Sequence, residues 1–225
     1  MILKYRQSAV VGVFVLFAAV VLLVGCSTRY TLDKGILHHD RGEFDEADRL
    51  LRHVVDEDPT SWQAMYYLGL IQLEQGDPRR ASVLLDRALT LRRDAPETRQ
   101  IIDALSEAIY QQNQPSNLNS LLRQATDYYG TSYDYVRQGK YLAKSGDSDG
   151  ALVAFQKAER FADQDDALPH LAIADFYEQI GDVLSAIQAL RRAYNILPND
   201  PSLEDRLRKH GLVPGPSLKI ASQSN

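Results

Sequence analysis

A glycine, four residues and an alanine recur four times in this chain: Gly42 to Ala47, Gly76 to Ala81, Gly146 to Ala151 and Gly181 to Ala186. The alanines are 34, 70 and 35 residues apart, so the long step holds two periods with one worn copy inside it. A period of about 34 residues with helical patterning predicts stacked helix pairs, because one such pair cannot bury its apolar face alone. The expected fold is all-α, a solenoid. Such a fold offers surface to partners and argues against a self-contained active site.

The second copy shows the physical logic. A first helix runs from about Ser61 to Gln75, with Met65, Leu68 and Gln72 on one face and Gly69 where two helices approach closely. Gly76 ends it, since a left-handed residue without Cβ meets no clash. Asp77 then caps the next helix, and Pro78 takes its first position, where a missing N–H costs nothing. Ala81, Leu85 and Ala88 form one stripe of that helix. Asp147 and Asp182 follow their glycines as capping candidates; Glu43, a weaker cap, stands there in the first copy.

These positions resemble the tetratricopeptide repeat (TPR) family. The first copy supplies Gly35, His38, Gly42, Ala47, Leu51, Val54 and Pro59; the second Met65, Leu68, Gly69, Gly76, Ala81, Leu85 and Ala88, with Arg93 where the family has proline. Tyr135, Gly139, Leu142, Gly146, Ala151, Phe155 and Ala158 fit a further copy. Ile173, Ala174, Tyr177, Gly181, Ala186, Leu190, Ala193 and Pro198 fit the last. Residues 99–131 read as a degenerate third copy, with Ile102, Leu105, Ser106 and Ile109 in its first helix and Leu118, Leu122 and Ala125 in its second. Asn113 replaces the turn glycine there, and asparagine tolerates the left-handed region better than most residues. The resemblance implies a right-handed α-solenoid of about five helix pairs over residues 31–200, closed by a capping helix at 201–212. It is specific for fold and not for function.

The N-terminus suggests an address. Lys4 and Arg6 precede an uncharged apolar run from Ala9 to Val24, which reads as a signal-peptide core somewhat short for a span of about 20 residues. Leu23-Val24-Gly25-Cys26 resembles the lipobox of bacterial lipoproteins. That resemblance implies a signal peptide over residues 1–25, cleavage before Cys26 and acylation of the Cys26 thiol, so that palmitate-type chains hold the protein to a membrane. Cys26 is the only cysteine in the chain, an odd free thiol in an exported protein unless it carries lipid. An uncleaved signal anchor is the alternative, and both readings place the rest outside the cytoplasm. Ser27 after the cysteine, by resemblance to sorting rules, favours the periplasmic face of an outer membrane. The tether, residues 26–30, spans at most about 17 Å.

Removing Lys4 and Arg6 with the leader takes the formal charge from −5 to −7. Nucleic-acid binding wants a basic stripe and is not expected. In the family, one face of each first helix lines a concave groove. The resemblance places Gln63, Tyr66, Leu70, Leu73 and Glu74 there, followed by Asp103, Glu107 and Tyr110. Tyr133, Val136, Lys140 and Lys144, then Leu168, Leu171, Asp175 and Glu178, continue it. Aromatic and aliphatic anchors flanked by both signs of charge suit an extended peptide or helix. Five tyrosines fall between Tyr128 and Tyr141; Tyr135 takes a core slot, Tyr128 and Tyr129 cap a helix, and Tyr133 faces the groove.

Features that look chemical carry little. His38 and His39 are adjacent and point about 100° apart on a helix, so they cannot chelate as i, i+4 histidines do. His38 takes a packing slot; His39 is groove-facing or solvated. Setting Gly150 at the glycine of a calcium loop puts Gln156 where the bidentate glutamate belongs. No phosphate-cradling loop or nucleophile elbow is present. No metal, cofactor, small-molecule substrate or catalytic residue is expected, and the chain does not read as an enzyme. After the cap, Pro214, Gly215 and Pro216 break regular structure, and residues 213–225 read as a flexible tail.

The expectation is a lipid-anchored scaffold that docks cell-envelope proteins during assembly or export, of the pilus, outer-membrane protein or polysaccharide type. The alternatives are a signal-anchored TPR protein, an enzyme-accessory or ligand-binding subunit, and an oligomeric structural element.

Overall fold

In a computed structural model, the structure describes residues 27–93, 95–215 and Leu218. Among them there are eleven helices and no strand. Helix α1 covers residues 27–40. It is followed by α2 (Phe44–Glu57), α3 (Trp62–Glu74), α4 (Pro78–Leu91), α5 (Thr98–Gln111) and α6 (Pro115–Tyr128). Then come α7 (Ser132–Lys144), α8 (Ser148–Phe161), α9 (Leu168–Ile180), α10 (Val183–Ile196) and the short α11 (Pro201–Lys209). The chain divides into two compact units, Met1–Asn113 and Gln114–Asn225, so the helices of the worn third repeat fall one in each.

The turns follow from the capping chemistry. Asp77 accepts the Arg80 N–H at 3.0 Å, Asp147 the Gly150 N–H at 2.9 Å and Asp182 the Ser185 N–H at 3.1 Å. Each satisfies one orphan donor of the following helix. Glu43 makes no such cap and bonds the His38 ring instead. Asn113 takes the left-handed conformation of the missing glycine, with φ 53°.

Small residues of each first helix meet large residues of its partner. A Cβ on Gly69 would lie 2.6 Å from Leu85 Cγ, one on Gly35 2.8 Å from Leu51, and one on Gly139 would collide with the Phe155 ring. Ser106 and Ala174 hold the same slot in the other repeats and are fully buried. In the first unit, Ala47, Leu51, Val54, Ala64, Leu68 and Ile71 form a core against which Leu32, Phe44 and Leu84 pack. Helix α3 touches α2, α4 and α5, which is why it is apolar nearly all round.

The second unit builds its core from α7 to α11, with Phe155, Phe176, Leu190, Leu203 and Leu207 at its centre. Leu203 and Leu207 seat α11 against α10, so α11 closes the apolar end of the last pair. Leu218, in the segment expected to be a flexible tail, is buried in this core, and its carbonyl accepts from Arg191 Nε at 3.2 Å. Residues 27–30, expected as tether, are already helical. The Thr28 hydroxyl donates to Glu57 at 2.7 Å and fixes the start of α1 to the end of α2. The signal segment, Cys26 and residues 219–225 lie outside the described residues.

Candidate protein-interaction surface

The first unit places Gln63, Tyr66, Leu70 and Leu73 on α3 and Tyr110 on α5, and every one is half-buried. Helices α3 and α5 touch, and this brings the Tyr66 phenol within the field of Asp103. Burial, with smaller contributions from Tyr67 and Asp103, pushes the Tyr66 pKa up, so the phenol stays a neutral hydrogen-bond donor. Its ring meets Tyr67 edge-on at 5.3 Å. Tyr67 in turn meets His39 at 5.0 Å, again edge-on. His39 also contacts Phe44 at 5.9 Å and the Asp40 carboxylate at 3.0 Å. His39 is therefore a packing residue between α1 and α3, not a solvated one. The sequence carries no sign of this aromatic ladder, because its rungs lie on three helices and have no common spacing.

The second unit carries Tyr133, Lys140 and Lys144 on one face of α7, and Leu171 and Asp175 on the adjoining α9. Lys140 and Lys144 are exposed, and Tyr133 and Leu171 are half-buried. The Arg137 guanidinium lies 5.0 Å from the Tyr133 ring centre, and Lys144 Nζ lies 4.9 Å from that of Tyr141. Val136, which the family resemblance put in the groove, is instead buried in the core. Tyr135 stacks on Phe161 at 5.1 Å with the rings nearly parallel, and Tyr141 is buried.

Asp175 and Glu178 do more than line a surface. Arg206 of α11 lies 2.8 Å from each carboxylate, and His210 Nε2 lies 2.8 Å from the other Glu178 oxygen. Burial raises the Glu178 carboxyl, but hydrogen bonds from His210 and Arg206 outweigh it and hold the group below the usual carboxylate range. The sequence gives no sign of this bridge, since its acids and bases lie about thirty residues apart.

Elsewhere in the first unit, Arg52, Gln72, Arg79, Arg80, Val83 and Leu84 line an open depression of about 410 Å³. Arg52 is held by Asp48 and Arg80 by Asp77. Among the described residues no group of three His, Cys, Asp or Glu is placed to hold a metal, and no helix is long and apolar enough to cross a membrane.

Two tetratricopeptide repeat family models match, over residues 38–105 and 136–202, together more than half of the chain. The chain belongs to the tetratricopeptide repeat family. The first match covers most of the first copy, the second copy and the start of the worn third; the other covers the last two copies, and residues 106–135 lie between them. A thermophilic TPR protein of Thermus thermophilus is similar over 83% of this chain and 100% of its own, at 21% identity and a TM-score of 0.58. A MamA protein is similar over 85% of this chain and 100% of its own, at 21% identity and a TM-score of 0.56. Both likenesses concern the fold alone. No curated protein matches the sequence. As a TPR protein the chain is a protein-interaction scaffold, and proteins of this family are generally not catalysts.

Proposed function

We propose that this TPR protein is a lipid-anchored scaffold of the bacterial cell envelope. The Cys26 thiol carries the lipid, on the extracytoplasmic side, and the first-helix faces of the repeats capture segments of client proteins during assembly or export. The observation that carries the docking part is the state of the candidate surface. Tyr66, Leu70 and Leu73 in the first unit, and Tyr133 and Leu171 in the second, are only half-buried, and Lys140 and Lys144 of the second unit are exposed. Half-buried aromatic and aliphatic side chains are held rigid at little entropic cost, which is what a hot spot for a client segment requires. The anchoring part is supported by Leu23-Val24-Gly25-Cys26 and by the absence of any other cysteine in the chain.

A photo-crosslinking residue at Tyr66 or at Lys140, introduced in intact cells, tests the docking. Adducts with an envelope protein should form at both positions and be missing at Val83 on α4. Equal labelling at all three, or none, would remove the groove from the proposal. Globomycin treatment and Cys26→Ala test the anchor separately: both should leave unprocessed precursor, and normal processing in either would point to a different N-terminal fate.

A further inference from the structure

Helix α1 has two opposite faces of unlike character. Thr28, Leu32, Gly35 and His39 recur at i, i+4, i+7 and i+11, one stripe of a helix. All four are engaged inside the first unit: Thr28 with Glu57, Leu32 with the core, Gly35 against Leu51 and His39 with Tyr67. Tyr30, Lys34, Leu37 and Arg41 recur at the same steps, two residues further on, and so stand on the opposite side. There Tyr30 is 63% exposed and Leu37 46%, and Lys34 and Arg41 are exposed too. Lys34 Nζ lies 5.2 Å from the centre of the Tyr30 ring. The outer face of a surface helix is ordinarily polar. This one mixes a tyrosine and a leucine with two cations, the composition of a helix that lies at a membrane interface. Asp33 stands at its edge.

We propose that the face of α1 formed by Tyr30, Lys34 and Leu37, continued by Arg41 in the turn that follows, lies on the membrane that holds the N-terminus, with the two cations at headgroup phosphates and Tyr30 and Leu37 at the acyl boundary. This rests on the anchoring reading above. The occupant follows from where the uncharged run ends. It stops at Val24, and α1 is helical from residue 27. Consecutive Cα atoms lie about 3.8 Å apart, so a lipid on Cys26 leaves no slack between bilayer and helix. The Thr28 to Glu57 bond keeps that first turn folded onto α2 rather than free to unwind. A helix of this length runs about 21 Å, enough to set the tilt of the first unit when it lies flat. Polar groups snorkelling over a buried aromatic and aliphatic pair need no further partner protein.

Full-length protein with its native N-terminal modification, reconstituted in vesicles of phosphatidylethanolamine and phosphatidylglycerol, tests this. Acylation of Cys26 leaves a cysteine introduced by Leu37→Cys, Tyr30→Cys or Val83→Cys as the sole thiol for a nitroxide. On moving from detergent to vesicles, labels at positions 37 and 30 should lose several-fold accessibility to a water-soluble nickel relaxant and gain accessibility to oxygen. The label at position 83 should change in neither. Protein that floats with the vesicles while positions 37 and 30 stay as water-accessible as 83 overturns the proposal and leaves anchoring intact. Shielding already present in detergent, with spin–spin broadening that grows with concentration, assigns the face to a second copy and also overturns it. Protein that fails to float, or whose Cys26 takes the label and floats only through the apolar run, separates the lipid reading from the interface. In the first case both fall; in the second the accessibility comparison still decides the face.

Discussion

Asp134 and Arg137 of α7 form an ion pair 2.8 Å long, with side chains only 1% and 3% exposed. Asp134 also completes the capping box at the start of α7, accepting the Thr131 N–H and hydroxyl while its own N–H bonds Thr131. One carboxylate thus caps the start of a helix and neutralises a buried guanidinium. Removing one member of a buried pair leaves the other charge without its counter-ion, at a cost of about 3–5 kcal/mol. Arg137→Ala should therefore lower unfolding free energy by about that amount in urea titrations. Arg49→Ala, at the exposed pair with Glu46 on α2, should cost under about 1 kcal/mol. Similar losses at both sites would mean that the α7 pair is not desolvated as described.

The contact of Gly139 with Phe155 sets the distance between α7 and α8. Gly139→Ala drives a methyl into the ring, and overpacking of this kind costs about 1–3 kcal/mol. Phe155→Leu alone loses buried area. Made together, the two changes should relieve each other, so that the double variant is more stable than the sum of the single losses predicts. Strict additivity in chemical denaturation would show that the two residues do not share a contact.

Much of this architecture was legible because it repeats. Gly69 and Leu85 are one instance of a pairing that recurs as Gly35 with Leu51 and Gly139 with Phe155, and a recurring spacing stands out from chance. The caps at Asp77, Asp147 and Asp182 were legible for the same reason, since each follows a turn glycine. What did not repeat could not be read. The buried Asp134–Arg137 pair occurs once, and an aspartate three residues before an arginine is elsewhere a solvated surface pair. The Arg206 bridge to Asp175 and Glu178 joins α11 to α9 across a span with no internal copy to align. Val136 went to the core rather than the surface because α7 packs against both α8 and α9, a consequence of tertiary packing that helix spacing alone leaves open.

The bridge at Glu178 carries a pH dependence. Its folded pKa lies below the reference value of 4.5, because His210 and Arg206 favour the ionised form more than burial disfavours it. A depressed carboxyl contributes stability that is fully present above its unfolded pKa and is lost as pH falls through the folded one. Glu178→Gln should therefore be less stable than the parent at pH 6 to 7, and the difference should shrink as pH drops below about 4.5. Thermal unfolding of both proteins across that range measures it. A gap between the two proteins that stayed constant down to pH 3 would mean the carboxylate is not what Arg206 and His210 hold.

Asn113 tests the turn logic at the one repeat that abandons glycine. Its φ of 53° is the left-handed region that Gly42, Gly76, Gly146 and Gly181 occupy in the other turns at 75° to 84°. A residue with an ordinary Cβ is disfavoured there by roughly 1–2 kcal/mol, and asparagine by less because its short amide bonds locally. Asn113→Ala should lose about 1 kcal/mol, Asn113→Val more, and Asn113→Gly should match or exceed the parent. The order glycine, asparagine, alanine, valine in denaturation midpoints is the signature. If alanine were neutral, the turn would have relaxed out of the left-handed region, and the structural equivalence of the worn third copy with its four neighbours would fail at the residue that defines it.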